Sequence, residues 1–560
     1  MIRFFFFFSC IGLNLLGLIA QDTDILLNHD LYHYIDRLDI KGHTHATLHT
    51  DLKPYGREAL TEAFDRLRLE PGDFTPNEQG WNEQIRFLVD DELAATDTGR
   101  GFLKTFYKNK RDILFVDKPG FRLFVNPVWH TSPGIDQNNY PRAAEESLPI
   151  YFNTRGLVLR GTLFGKLGFH TEVYDNVTRL PQYQFNTYLD QEVFYGEGFV
   201  KRFGDKNGLD YLGSRGYITY SPWKGLRIKF GKDRVFWGNG YQSLLLSDFS
   251  PDQLMLNLTA RVWKFEYVSH FAQLIHFIQN KNDTEGTFPR KYGAFHQLSY
   301  KPNERLSVGF FESVIYSPTL PNGQRGVELQ YFNPIIFFRT VEQYIGSPDN
   351  SVLGLHAKYN LLKRVQVYGQ FLLDDFDYSK RNEGSGYWGN KTGFQLGAKY
   401  IDAFGISTLD LQAEYNRIRP YTYQHFTATS NYSHYGQHLG HAAGANLFDY
   451  HIIARYHPFP AWNVYLSYSF LQKGLDNDDG FNYGGDIQQA FVNRPGDFDQ
   501  IVGQGQLTNV QSIFGRISYQ LLKSDSFIEL EGRYRKQDEL RSTSVLFGLR
   551  SSISPRLVKW

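Results

Sequence analysis

The sequence predicts an all-β protein, a transmembrane antiparallel β-barrel of about 18 strands preceded by a small helical region. Three observations carry that expectation. From about Phe121 onward, apolar and polar residues alternate in a long series of runs, each of about ten residues. The connections between runs are short and long by turns, as in barrels with tight periplasmic turns and longer outer loops. The composition, with 37 Tyr, 47 Phe and 51 Gly against 2 Met and 1 Cys, favours strands, interfacial aromatic girdles and tight turns. A hydrophobic fraction of 41% and a mean hydropathy of -0.42 fit a barrel because only alternate residues face lipid. No internal stretch reaches the ~18 consecutive apolar residues that a transmembrane helix needs.

The elements follow in order. Residues 1–20 read as a secretory signal: Arg3 supplies the positive start, residues 4–19 the apolar core, and Ala20 the small residue before Gln21. Cys10 lies inside this segment, so disulfides play no part in the mature fold. Residues 21–110 read as a helical region on the periplasmic side, the side from which the chain enters. Asp24 to Leu27 with Leu31, Tyr34, Ile35 and Leu38 have helical spacing, as do Ala59, Leu60, Ala63, Phe64 and Leu67. A third helix is expected near Asn82 to Leu93.

The barrel is expected over residues 111–560. Val365, Val367, Gly369, Phe371 and Leu373 alternate with polar neighbours, and so do Leu353, Leu355, Ala357 and Tyr359. Leu409, Leu411, Ala413 and Tyr415 repeat the pattern, as do Trp462, Val464, Leu466, Tyr468 and Phe470, and Ile528, Leu530, Gly532 and Tyr534. With these residues toward lipid, the lumen receives Arg160, His170, Glu172, Arg227, Lys229, His356, Lys358, Lys399, Asp410, Glu414, Arg516, Glu529, Glu531, Arg533 and Arg535. Their mixed signs predict networks that close or narrow the lumen.

The formal net charge of zero argues against nucleic acid as a partner. No GxSxG, HExxH or Walker-type signature is present, so the reading is of a protein that is not an enzyme, with no catalytic residues, metal or cofactor. His434, His438 and His441 are not spaced on one strand face and read as a solvated loop, as do His29, His33, His43, His45 and His49. Asp374, Asp375, Asp377 and the aspartates of residues 476–479 read as solvated charge. Glycines and aromatics break the alternation in residues 231–247. That segment is either a strand end with an aromatic girdle or an inward-folding loop that offers Trp237 and Tyr241 to sugar rings. Tyr331, Asn333 and Arg339 join them as candidate carbohydrate-binding residues.

Several segments resemble the capsule-assembly Wzi family. They are Phe236-Trp237-Gly238-Asn239-Gly240-Tyr241-Gln242-Ser243, Glu328-Leu329-Gln330-Tyr331-Phe332-Asn333-Pro334, Gly436-Gln437-His438-Leu439-Gly440-His441 and Tyr368-Gly369-Gln370-Phe371-Leu372-Leu373-Asp374-Asp375. Residues 31–38 with Lys53-Pro54-Tyr55 are similar to its gliding-motility, RemB-like branch. The resemblance implies an outer-membrane barrel of about eighteen strands with a periplasmic helical region. It implies a lectin-like role, tethering capsular or extracellular polysaccharide. The partners expected are outer-membrane lipid, that polysaccharide and other envelope proteins. Two alternatives stay open, a component of a gliding or secretion complex and a channel for a solute or glycan.

Overall fold

The computed structural model describes residues 23–44, 48–69, 74–96, 111–143, 146–204, 207–277, 287–320, 323–334, 337–521 and 524–555. The expected signal segment, 1–20, lies outside them. Eighteen strands form the barrel, each antiparallel to its neighbours, and the last pairs with the first to close it. They are β1 Phe121–Asn138, β2 Ser147–Leu163, β3 Leu167–Arg179, β4 Gly208–Trp223, β5 Leu226–Asp233 and β6 Gln253–Val262. Next come β7 Phe265–Ile275, β8 Arg290–Tyr300, β9 Leu306–Tyr316, β10 Asn350–Leu361, β11 Val365–Asp375 and β12 Lys391–Tyr400. The series ends with β13 Leu409–Ile418, β14 Leu447–Tyr456, β15 Trp462–Leu475, β16 Gln506–Gln520, β17 Ser526–Gln537 and β18 Leu540–Ser551.

The period-two pattern sets which way each side chain points. On β11, Gln366, Tyr368, Gln370 and Leu372 are buried in the lumen, while Val365, Val367, Gly369, Phe371 and Leu373 face out. Outward Leu355, Ile452, Leu466 and Phe547 remain 54%, 57%, 51% and 59% exposed. An apolar belt of this kind around a whole barrel is stable against hydrocarbon and not against water, so the strands cross a membrane. Turns such as 164–166, 224–225, 263–264 and 362–364 gather at one end. The long connections 180–207, 234–252, 317–349, 419–446 and 476–505 gather at the other.

The N-terminal region packs into the short-turn end. It contains α1 Leu31–Lys41, α2 Arg57–Leu69, α3 Pro76–Val89 and α4 Asp91–Thr96. Leu31, Tyr34, Ile35 and Leu38 of α1 bury against Leu60 and Phe64 of α2 and Trp81 and Ile85 of α3. The helical reading of Asp24 to Leu27 is corrected: Asp24 bridges Gly56 in extended backbone, and its carboxylate meets Lys229 at 2.6 Å and Arg227 at 2.8 Å. Two barrel cations thus fix Asp24 in extended backbone where the apolar spacing suggested helix.

Lumen-facing charges receive the helices. Lys301 and Lys358 meet Asp39, Lys399 meets Asp36 at 2.7 Å, and Asp410 pairs with Arg37 and lies 2.7 Å from His33. On the far side Asp91 accepts from Arg160 at 2.7 Å and from Arg111 at 2.8 Å. These carboxylates and cations match in position, and removing one partner of such a buried pair is strongly destabilising.

Candidate functional site

Above the helices the lumen is filled by its own loops. Residues 235–246 turn inward from β5, and Val235, Trp237, Leu244, Leu245 and Leu246 form a dry core. Inward residues Val268, Phe295, Phe311, Val352 and Leu372 of the wall close around it, with Tyr423, Tyr432 and Leu439 from the connection after β13. An irregular loop buried this deeply must find partners for its backbone, and lumen side chains supply them. Glu414 accepts from Tyr241 N at 2.6 Å and Gln242 N at 2.9 Å. Gln370 accepts from Leu244 N at 2.7 Å and donates to Trp237 O at 3.1 Å, while Gln395 donates to Gln242 O at 3.0 Å. The Tyr423 and Tyr432 hydroxyls donate to Leu244 O at 2.8 Å and Leu245 O at 2.6 Å. The two glycines are required: a Cβ on Gly238 would stand 2.3 Å from Gln370 Nε2, and one on Gly240 would stand 2.6 Å from Glu414 Oε2.

Beside this core a cavity of 740 Å³ remains, running from the loop end down to Leu26, Leu27 and Asn28. One wall is α5 (Gln182–Gln191) and the residues after it, with Tyr183, Phe194 and Tyr195 at the surface. Gln437 clamps that segment, accepting from Gly196 N at 2.7 Å and donating to Glu197 O at 2.7 Å. Arg234 adds a bond to Gly196 O at 2.5 Å and is itself held by Asp252 at 2.7 Å. The opposite wall is the connection after β15. There Gln489 donates to Asp476 at 2.7 Å and Asp486 at 3.2 Å, and burial, with Asp486 beside it, pushes the Asp476 carboxyl up. From the barrel, Lys473 donates to Ala443 O at 2.8 Å, and the Arg535 guanidinium lies 4.5 Å over the Tyr183 ring.

Aromatic faces beside amides and charged groups that are already held in place make a cavity suited to a polyhydroxylated ligand. Tyr195 and Phe249, whose rings lie 5.1 Å apart, line it together with Gln437, Gln488, Gln489 and Arg535.

The sequence candidates take other places. Trp237 is 1% exposed, its indole edge-on to His270 and Phe311 at 6.0 and 5.8 Å. Neither the girdle reading nor the stacking reading of this residue describes that position. Tyr241 is half-buried with its ring 4.7 Å from His451, packed on Ile453, Tyr465 and Phe514. Tyr331 is buried and donates its hydroxyl to Asp349 at 2.7 Å, while Asn333 and Arg339 are exposed. These last three belong to the connection between β9 and β10, apart from the cavity.

Burial overturns the solvated-loop reading for four of the histidines, whereas His29, His33 and His43 are half-buried and His45 lies outside the described residues. His434, His438 and His441 are all buried in the lumen, as is His49. His434 accepts from Ile275 N at 2.9 Å, and His441 lies 3.0 Å from Asp449. Asp374, read as solvated, is buried, receiving Lys391 at 3.1 Å and Tyr423 N at 2.6 Å. Burial leaves no mark on a polar segment of sequence. The one usable signal was the run of glycines, which permits such close approach.

The family model of capsule assembly protein Wzi matches residues 184–524. Among solved structures, the chain is similar to Wzi of Escherichia coli, described as an outer membrane protein involved in group 1 capsule assembly and a carbohydrate-binding β-barrel. That likeness has 14% identity and a TM-score of 0.56, over 95% of this chain and 100% of the other. A BenF-like porin from Pseudomonas fluorescens follows, with 9% identity and a TM-score of 0.42 over 77% of this chain and 98% of that one. OprD of Pseudomonas aeruginosa has 9% identity and a TM-score of 0.40 over 77% and 96%. No curated protein matches the chain.

Proposed function

Because this chain belongs to the family of the capsule assembly protein Wzi, we propose that it is a non-enzymatic outer-membrane barrel that binds capsular or extracellular polysaccharide and holds it at the cell surface. The observation that carries the reading is the 740 Å³ cavity at the loop end, walled by aromatic and amide side chains. Its volume lies in the range of sites that enclose small ligands, so it takes a short stretch of a polymer whose remainder stays outside. The likeness to the Escherichia coli carbohydrate-binding barrel supports the same role.

The long connections face the exterior in this reading, and residues 21–110 lie on the periplasmic side, after a leader spanning 1–20. The filled lumen supports tethering over solute passage. Sugar stacking is assigned to Tyr195 and Phe249, which line the cavity, in place of Trp237 and Tyr331, which are enclosed by protein.

The test is deletion in the native host with polysaccharide stained on cells and in the medium. Release into the medium, reversed by the intact gene and not by Tyr195→Ala, supports the role. Unchanged attachment with lost surface spreading overturns it in favour of a motility complex.

A further inference from the structure

On β9, the residues Phe311 and Ile315 join the lumen core, so the alternate residues Val308, Phe310, Glu312, Val314 and Tyr316 face outward. Near the short turns this outward row is open, with Val308 36% exposed. Toward the loop end it is shut, with Glu312 at 3%, Val314 at 0% and Tyr316 at 2%. The neighbouring strands repeat this: outward Ala294 and His296 of β8 and Phe271 of β7 are buried as well.

What covers them is the connection between β9 and β10, through the turn Leu329–Phe332 and the helix α6, Phe338–Ile345. Tyr331, Phe338 and Val341 pack on Phe271, Ala294, Val314 and Tyr316. Phe332 stacks on Phe271 at 4.1 Å, and Phe338 lies 4.1 Å from His296. Polar contacts fix the cover in place. The Glu312 carboxylate accepts from Phe338 N at 2.5 Å, and Glu342 accepts from outward Ser351 at 2.9 Å.

The position of Glu312 gives this packing its meaning. It lies six residues along β9 from Leu306, a climb of about 15 Å for a strand rising ~3.4 Å per residue with ~40° of tilt. A barrel's apolar belt is ~25 Å tall, so the carboxylate falls within it, on the lipid side, where an uncovered polar group is unfavourable. The cover supplies its hydrogen bond and then exposes large apolar side chains of its own, Leu329 at 74%, Phe337 at 59% and Tyr344 at 84%, with Arg339 and Gln343 between them. That surface is continuous with the barrel's own belt, since Leu256 of β6 packs against the same cluster and Phe310 lies 5.7 Å from Phe337.

We propose that the described residues of 327–346 form a lipid-embedded buttress on the outside of the barrel, in the loop-side leaflet, with Leu329, Phe337 and Tyr344 against lipid acyl chains. Continuity with the lipid-facing belt selects lipid over a protein partner. The buttress seals the Glu312 and His296 site from hydrocarbon and widens the barrel's grip on that leaflet.

The test places an environment-sensitive dye on single cysteines in the full chain carrying Cys10→Ser, reconstituted in phosphatidylcholine–phosphatidylglycerol vesicles. Leu329→Cys, Phe337→Cys and Tyr344→Cys are compared with Leu355→Cys on the bare belt and Asn382→Cys in an outer loop. Each variant is first checked for the heat-modifiable migration of a folded barrel. Dyes at 329, 337 and 344 are expected to match the one at 355, quenched by nitroxide on the acyl chains and spared by aqueous iodide. Quenching by iodide, as at 382, overturns the proposal. Protection from both quenchers also overturns it, since protein then covers the face. If 355 escapes nitroxide as well, the membrane orientation fails together with the buttress.

Discussion

Asp39 is 0% exposed and joins α1 to the barrel wall through two lysines at once. It accepts from Lys301 at 3.1 Å and Asn360 at 3.1 Å and is paired with Lys358. In Asp39→Asn the shape stays and the charge goes, leaving two buried ammonium groups without this anion. Removing one partner of a buried pair is destabilising by about 3–5 kcal/mol. With two cations depending on one carboxylate, the upper end, about 5 kcal/mol, is expected. Adding Lys358→Met removes one stranded charge and should recover part of the loss, a coupling of about 1–3 kcal/mol. The assay is denaturant unfolding followed by helix circular dichroism, with protease cleavage within residues 23–96 as a second readout. The acid limb gives an independent check. Burial alone would raise the Asp39 carboxyl, but Lys358 and Lys301 outweigh it and hold the group well below the usual carboxylate range. A depressed folded value means that the stabilisation is fully present above the unfolded pKa, about 3.9, and fades as pH falls below it. The helices should therefore stay docked down to roughly pH 5 and loosen only in stronger acid. An Asp39→Asn variant within about 1 kcal/mol of the parent would refute the reasoning, because it would show that the pair contributes less than an ordinary hydrogen bond. Undocking near neutral pH would refute it equally.

Three further outcomes follow from the lumen. Trp237→Ala should lower folding stability by about 3–5 kcal/mol through the cavity it leaves, yet leave polysaccharide affinity of the folded fraction unchanged, measured by titration below the melting transition. Tyr195→Ala should do the reverse, weakening polysaccharide binding up to about tenfold through lost stacking with little change in unfolding midpoint. Gly240→Val should unseat the inward loop, because a Cβ there meets Gln242 O and Glu414 Oε2, each at 2.6 Å. Its barrel is expected to conduct ions steadily in planar bilayers where the parent is nearly silent, and a silent variant would show that the helices alone seal the lumen.

The barrel was legible because lipid and lumen impose opposite demands on successive residues, and Leu355 beside His356 records that demand directly. The same pattern bounded the strand total, and the even-number rule for such barrels, with the family resemblance, pointed to about eighteen. Less was legible wherever a side chain's surroundings come from distant chain. Nothing local to Trp237 says whether an indole lies in a girdle, a sugar site or a core, and its neighbours His270 and Phe311 arrive from other strands. Glu312 was similarly opaque: alternation turns it outward, where a carboxylate is unexpected, and its cover comes from Phe338, farther along the chain. His434, His438 and His441 read as a solvated loop because polar segments usually are, whereas an enclosed lumen can supply partners that solvent otherwise would. Their burial beside a dry core is a property of closure.

Closure also explains why one protein carries both dense ion pairing and a dry core. A lumen of this width admits water unless something of matching shape fills it. At the short-turn end the filler is largely helical, with most of its backbone bonded within the helices, so the matching is done mainly by side chains, as in the ion pair of Arg160 with Asp91 at 2.7 Å. At the loop end the filler is irregular chain, so the wall must satisfy backbone as well. Gln370, Gln395 and Glu414 are engaged in that task. The cavity lies to the side, between α5 and the connection after β15, and on the proposed reading ligand contacts fall there. On that reading, the loop that fills the lumen is also the element that sets where a sugar would lie.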